Sequence, residues 1–256
     1  MINGKRVVAT IEGRMTSTRL PGKIMMPLAG RPVMAHMIER HRRSKLTDEV
    51  VVATTTNATD DPVVALCEET YCPYFRGSEA DVLGRIVEAG KAHSADILVQ
   101  GMADSPLVDW RIVDRLITML AEGGYDCATN EFKGEDSFPD GFDMRVYSFP
   151  VLQKAAEVDK DLALHEHAGY SIRSQPKKFK LFHWKAEGVM RWRALRLTLD
   201  TKEDHQLISA VYDELYPKNT DFSAEDVVAF LKKRPDLVAL NSGVKQRAPE
   251  HDGKAV

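Results

Sequence analysis

Arg14, Arg19 and Lys23 lie within ten residues of one another in the segment EGRMTSTRLPGK, residues 12–23. Two glycines and three small hydroxyl residues are interleaved with them. Such a loop suits a polyphosphate. Flexible backbone lets amide groups approach phosphate oxygens, while guanidinium and ammonium groups neutralise charge. The glycines are wrongly spaced for a Walker loop or a G-x-G-x-x-G fingerprint. On composition alone, a solvated basic turn accounts for the segment as well.

The elements that must position this loop are legible on either side of it. Residues 6–11, 49–54 and 96–100 are β-branched runs of strand length, the first leading directly into the cationic segment. Helical patterns cover 32–44, 61–70, 79–93 and 109–123, so apolar strands alternate with helices. That order predicts the α/β class: a mainly parallel sheet covered by helices on both faces. Ligands of such sheets bind outside the carboxyl ends of the strands, where segment 12–23 falls. Farther on, strands are expected at 125–130, 143–147, 179–184 and 195–199. Helices are expected at 150–158, 163–174, 202–215 and 223–233, with a mobile loop at 133–141. One domain over 1–240, carrying an inserted arm at 131–175, fits this order. A disordered tail is expected from 241.

Composition excludes several classes. Among 256 residues, 35 basic and 38 acidic side chains leave a formal charge of −3, which disfavours a general nucleic-acid binder. Cys67, Cys72 and Cys127 are an odd number in a long chain and read as reduced thiols of a cytoplasmic protein. No stretch of about 18 apolar residues exists, so no membrane span is expected.

Segment 14–23, followed by PLAGRP at 27–32, resembles the N-terminal signature of the cytidylyltransferase family, which makes CMP-activated acid sugars. Within that family it is most similar to the branch named after spore coat polysaccharide biosynthesis protein SpsF. Further matches follow in order: VVATTTN at 51–57, FRGSEADVL at 75–83, DSPLVD at 104–109, FPDG at 138–141 and LDTKED at 199–204. They span about residues 5–215.

The resemblance implies a nucleotide-diphospho-sugar transferase-like fold and transfer of CMP from CTP to an acidic acceptor, with release of pyrophosphate. Arg14, Arg19 and Lys23 would hold the triphosphate. Thr10, Ile11, Thr54, Arg76, Ser78, Asp81 and Val82 would lie at the nucleoside. Asp104 and Asp200 would bind Mg²⁺ or Mn²⁺, for which carboxylate oxygens are suitable ligands. Asp140, Asp143, Arg145, His165, Glu166, His167 and Arg173 would face the acceptor, and relatives of this type form homodimers through the arm. Other readings stand beside these. Asp200 would also serve as an N-cap, and Ser78 and Asp81 as caps of the next helix. Two rival functions remain, a glycosyltransferase of the same fold and a nucleotide-binding regulatory module without turnover. The first commonly uses a D-x-D motif, which is absent after these strands. The second is favoured only by Ala103, where the family has glycine.

Overall fold

Every residue from Val7 to Ile11 is fully buried, so strand β1 (Val7–Glu12) needs cover on both faces and lies inside a sheet. This computed structural model describes residues 1–131, 134–159, 162–166, 168–244, 250–251 and 254–255. Strand β1 is followed by a two-residue hairpin, β2 (Pro27–Leu28) and β3 (Arg31–Pro32), and by helix α1 (Val33–Arg42). Next come β4 (Glu49–Thr55), α2 (Asp61–Glu69), β5 (Tyr74–Gly77), α3 (Val82–Ala92), β6 (Ile97–Met102) and α4 (Trp110–Gly123). The arm and its flanks hold β7 (Cys127–Thr129), β8 (Arg145–Ser148), α5 (Phe149–Val158), α6 (Leu162–Glu166), α7 (Tyr170–Arg173) and β9 (Leu181–His183). Helices α8 (Lys202–Leu215), α9 (Ala224–Lys232) and α10 (Pro235–Ala239) follow.

The sheet order is β5-β4-β1-β6-β8-β7-β9, and β8 alone runs antiparallel to its neighbours. Alternation along β1 sends Val7, Ala9 and Ile11 to a core shared with Met37 and Ile38 of α1, Leu116 of α4 and Val211 of α8. Val8 points the other way, to a second core with Leu83 and Ile86 of α3 and Leu152 of α5. By the same alternation, Thr10 and Glu12 face the α3 side. No described helix is long and apolar enough to cross a membrane.

Several elements depart from the sequence pattern for identifiable reasons. The helix expected at 163–174 is two short ones, α6 and α7. Gly169 between them has φ 73°, and a Cβ there would collide with the Tyr147 ring. Residues 195–199 form no sheet strand. Their backbone pairs instead with two turns, Leu197 N donating to Asp140 O (2.7 Å) and Leu199 N to Asp104 O (2.7 Å). Helix α3 begins at Val82, three residues late, because Asp81 caps it by accepting from Gly84 N. The supposedly mobile loop is pinned in its second half. Phe138 is 5% exposed, with its ring edge-on to Trp184, and Asn130 closes the loop through Phe142 O and Met144 N. Leu152 of α5 lies wholly in the core. Half of the expected tail lies outside the described residues, and Asn241 at its start is buried.

Helix α3 must approach α5 and β6 closely for the second core to close. At Gly90 an added Cβ would lie 2.6 Å from Phe149 Cε2 and 2.8 Å from Leu98 Cδ1. Gly90→Ala is therefore expected to destabilise the fold by about 1–3 kcal/mol through overpacking, read from the urea unfolding midpoint. An unchanged midpoint would show that α3 has room to shift.

Candidate active site

The loop after β1 takes its shape from backbone and small side chains rather than from its cations. Gly13 N donates to Ala53 O (3.3 Å), and a Cβ on Gly13 would stand 3.0 Å from Ala103 Cβ. Ala103 is itself buried there, its N donating to Glu12 O (3.0 Å). Its methyl thus fills the space that glycine leaves at residue 13. Met15 N donates to Oδ1 of Asp60 (2.8 Å), whose Oδ2 accepts from Thr54 Oγ1 (3.0 Å), Thr55 N (3.1 Å) and Thr55 Oγ1 (2.5 Å). Asp60 is fully buried. Burial alone would raise its pKa, but these donors hold it below the ordinary value. Gly22, at φ 72°, closes the loop by donating to Met15 O (2.8 Å) and starts the turn that carries Lys23.

Two of the three cations converge on one carboxylate. Arg19 Nη2 and Lys23 Nζ each lie 2.9 Å from Asp200 Oδ1, and Lys23 Nζ is 4.0 Å from Asp104 Oδ2. Arg196 Nη2 reaches the other oxygen of Asp200 at 2.8 Å. Burial pushes the Asp200 pKa up, but Lys23, Arg19 and Arg196 together hold it below the usual range. Asp200 is not the cap of α8. Thr201 is, accepting from Asp204 N (3.3 Å), while Asp204 accepts from Thr201 N (2.9 Å) and Asp200 N (2.9 Å). Arg196 also binds Asp204 (3.1 Å) and Asp140 (3.3 Å), and Asn241 donates to Asp204 (2.8 Å). Arg196 and Asp204 were not singled out from sequence. Their signal is an R-x-x-x-D-x-x-x-D spacing over 196–204.

Arg14 points the other way, pairing with Glu79 at 3.2 Å, a carboxylate also bonded by Thr16 and Asn57. The Thr16 hydroxyl foremost, with Asn57 and Arg14, holds the Glu79 pKa down. The expected nucleoside residues are partly spent on structure. Ile11 lies wholly in the core and pairs with both β4 and β6, and Thr54 serves Asp60. Arg76 bonds Thr55 O (2.8 Å) and Asn57 O (2.7 Å) and pairs with Asp61. Asp81 caps α3, following the capping alternative, while Ser78 Oγ accepts from Asp81 N (3.1 Å), outside the helix itself. Val82 is half-buried at the start of α3.

On the arm side, Arg145 Nε (2.8 Å) and Arg173 Nε (3.1 Å) both meet Oε2 of Glu131. Arg173 also donates to Tyr147 Oη (2.6 Å) and Ala168 O (2.8 Å). His165 is 5% exposed, its Nδ1 2.6 Å from Asp81 Oδ1, which ties α6 to the start of α3. This pairing accounts for His165 without an acceptor. The Glu166 side chain and His167 lie outside the described residues. Burial pushes Asp140 up to about 6 against the pull of Arg196, and burial beside Asp140 and Glu131 raises Asp143 well above its usual value. The sequence reading also passed over Glu12 and Gln100. Gln100 Nε2 donates to Glu12 Oε1 (3.2 Å), and burial lifts the Glu12 pKa to about 7.

A cation-lined loop and two carboxylates at the carboxyl edge of a parallel sheet now stand together. A family model described as cytidylyltransferase matches residues 8–233. The chain belongs to the cytidylyltransferase family. Its members are CTP-dependent nucleotidyltransferases. It is 30% identical over 235 residues to the spore coat polysaccharide biosynthesis protein SpsF of Bacillus subtilis, covering 90% of this chain and 95% of that protein. A 3-deoxy-manno-octulosonate cytidylyltransferase of Geobacter sulfurreducens is 34% identical over 119 residues, 45% of this chain and 46% of that one. Among solved structures, a cytidylyltransferase from Leptospira borgpetersenii superposes with a TM-score of 0.85 at 29% identity, covering 96% of this chain and all of that one. A CMP:2-keto-3-deoxy-manno-octonic acid synthetase complexed with CTP shares the fold, with a TM-score of 0.60 at 18% identity over 82% of this chain and 99% of that one.

Arg196 is the group that joins Asp140, Asp200 and Asp204. Arg196→Met would leave the buried Asp204 and Asp200 without their shared counter-charge. It is expected to cost about 3–5 kcal/mol in urea unfolding. A loss under about 1 kcal/mol would show that Lys23, Arg19 and Asn241 suffice.

Proposed function

We propose that this cytidylyltransferase moves CMP from CTP to an acidic sugar or related acid, with Mg²⁺ or Mn²⁺, and releases pyrophosphate. The convergence of Arg19, Lys23, Asp104 and Asp200 at the sheet edge carries this reading. An acceptor oxygen attacks the α-phosphorus of CTP in line, the new P–O bond forming as the α–β phosphoanhydride breaks. Arg14, Arg19 and Lys23 bind the departing pyrophosphate, on which negative charge accumulates, so their attraction grows toward the transition state. A carboxylate or phosphate nucleophile needs no general base.

Charge balance supports the metal. Arg14, Arg19, Lys23 and Arg196 face Glu79, Asp104, Asp140, Asp200 and Asp204, four cationic side chains against five carboxyl groups. A triphosphate therefore meets no net positive charge from these side chains. Asp104 and Asp200 both lie within 4.0 Å of the Lys23 ammonium, and two carboxylates plus phosphate oxygens are a donor set that suits magnesium. Asp104 and Asp200 would hold the ion, which when bound neutralises phosphate charge. The described residues contain no cluster of three or more ligands able to bind a metal without the nucleotide.

The acidic acceptor is supported by the arm. Arg145 and Arg173 already share a carboxylate oxygen of Glu131, so two guanidiniums are placed to take an anion there. The test is pyrophosphate release from CTP with a panel of sugar acids, phosphates and phosphonates. One acid acceptor is expected to turn over with CTP and divalent metal. Asp104→Asn and Lys23→Ala should each slow the reaction about 100-fold or more, since one lost charge contact to a developing charge is typically of that size. Asp104→Asn should leave Tm unmoved, whereas Lys23→Ala should lower it because buried Asp200 loses one of its three cations. Full turnover in excess chelator would remove the metal from this proposal. A preference for neutral acceptors would remove the acid.

A further inference from the structure

Among the described residues, three polar atoms on the α3 side of the sheet edge are buried and unpartnered beside Thr10 Oγ1: Glu12 Oε2, Gln100 Oε1 and Arg85 Nε. Gln100 is 3% and Arg85 4% exposed. Buried donors and acceptors in folded proteins nearly always find partners, so such a set marks a place completed by a ligand or by water. The three belong together. Gln100 bonds Glu12 directly, and Arg85 is the charge that most lowers the raised Glu12 pKa, while Glu12 is the charge that most raises the lowered Arg85 pKa. Arg145 and Asp104 are the other charges acting on Glu12.

Their position is beside the phosphate loop. Glu12 is the last residue of β1, immediately before Gly13 and Arg14. Arg85 reaches down from α3 along the β5–α3 turn, packing against Gly77, with Nη1 donating to Ser78 O. A nucleoside attached to phosphates in the 13–23 loop would extend toward this wall. Of the two residues there that resemblance assigns to the nucleoside, Asp81 caps α3 and Ser78 Oγ accepts from Asp81 N. Reading of the base therefore falls to other groups.

We propose that Glu12 and Arg85 discriminate the nucleobase, the Glu12 carboxyl accepting from the 4-amino group of cytosine and Arg85 Nε donating to ring N3. Gln100 holds the Glu12 carboxyl in place and offers a second acceptor. An acceptor beside a donor is the complement of the cytosine edge. Uracil presents the reverse, a carbonyl toward Glu12 and an N–H toward Arg85, so both contacts become repulsive. This inference rests on nucleotide binding at the 13–23 loop and adds the residues that select CTP.

The experiment is calorimetric binding of CTP, UTP and 2′-deoxy-CTP, with Mg²⁺ at pH 8, to the wild type, Glu12→Ala and Glu12→Gln. The wild type should prefer CTP over UTP. Glu12→Ala should lose roughly 10- to 100-fold in CTP affinity while keeping its UTP affinity, as expected when a buried hydrogen-bond partner is removed. Glu12→Gln retains an acceptor oxygen and should keep most of the preference. Equal losses for CTP and UTP in Glu12→Ala would overturn the proposal. If that variant also binds CTP and 2′-deoxy-CTP alike where the wild type prefers CTP, Glu12 serves a ribose hydroxyl instead of the base. An unchanged CTP-to-UTP ratio in a variant of normal Tm would overturn it too, and assign the wall to buried water. A wild type that binds CTP and UTP equally would overturn it at once, whereas one that binds neither would remove the nucleotide site itself.

Discussion

Asp200 carries one negative charge, and three cations reach it from opposite ends of the chain. Arg19 and Lys23 come from the loop after the first strand, and Arg196 from a segment more than 170 residues later. A buried carboxylate is costly unless paired and hydrogen-bonded, and here the pairing is what brings the two segments together. Residues 195–199 have strand-like composition, yet they do not join the sheet. They lie instead against the turns at Asp104 and Asp140, which sets Asp200 opposite the phosphate loop. The capping box of α8 completes the arrangement, because Asp204 serves the helix start and Arg196 at once.

The central strands were legible in sequence because burial on both faces demands continuous β-branched runs, as at 7–11 and 50–53. Strand β5 was not. It is four residues at the sheet edge with Tyr74 exposed, so it lacks the apolar run that marks a central strand. The cations of the phosphate loop and the two aspartates were likewise visible as residue types in suitable places. Their partners were not. Arg14 meets Glu79 across 65 positions, and Met15 meets Asp60 across 45. No local period encodes contacts at that range. Glu12 was hidden for another reason: at the end of an apolar strand it looks like the first loop residue, while its carboxyl in fact turns back to Gln100.

The phosphate loop separates two demands that often conflict. Its shape depends on Asp60, on Gly13 packed against Ala103, and on the Gly22–Met15 bond, none of which involves its three cations. Its charge depends on Arg14, Arg19 and Lys23, each paired with a carboxylate. On the proposed function, phosphate oxygens would therefore replace Glu79 and Asp200 as partners without the loop losing its form. Exchange of one anion for another requires little reordering of side chains, so less entropy is lost on binding than if free cations had to be collected. The same exchange would release a carboxylate oxygen of Asp200 from Arg19 and Lys23, beside Asp104. On the proposed function, nucleotide binding and the freeing of Asp200 for a metal ion would then be one event.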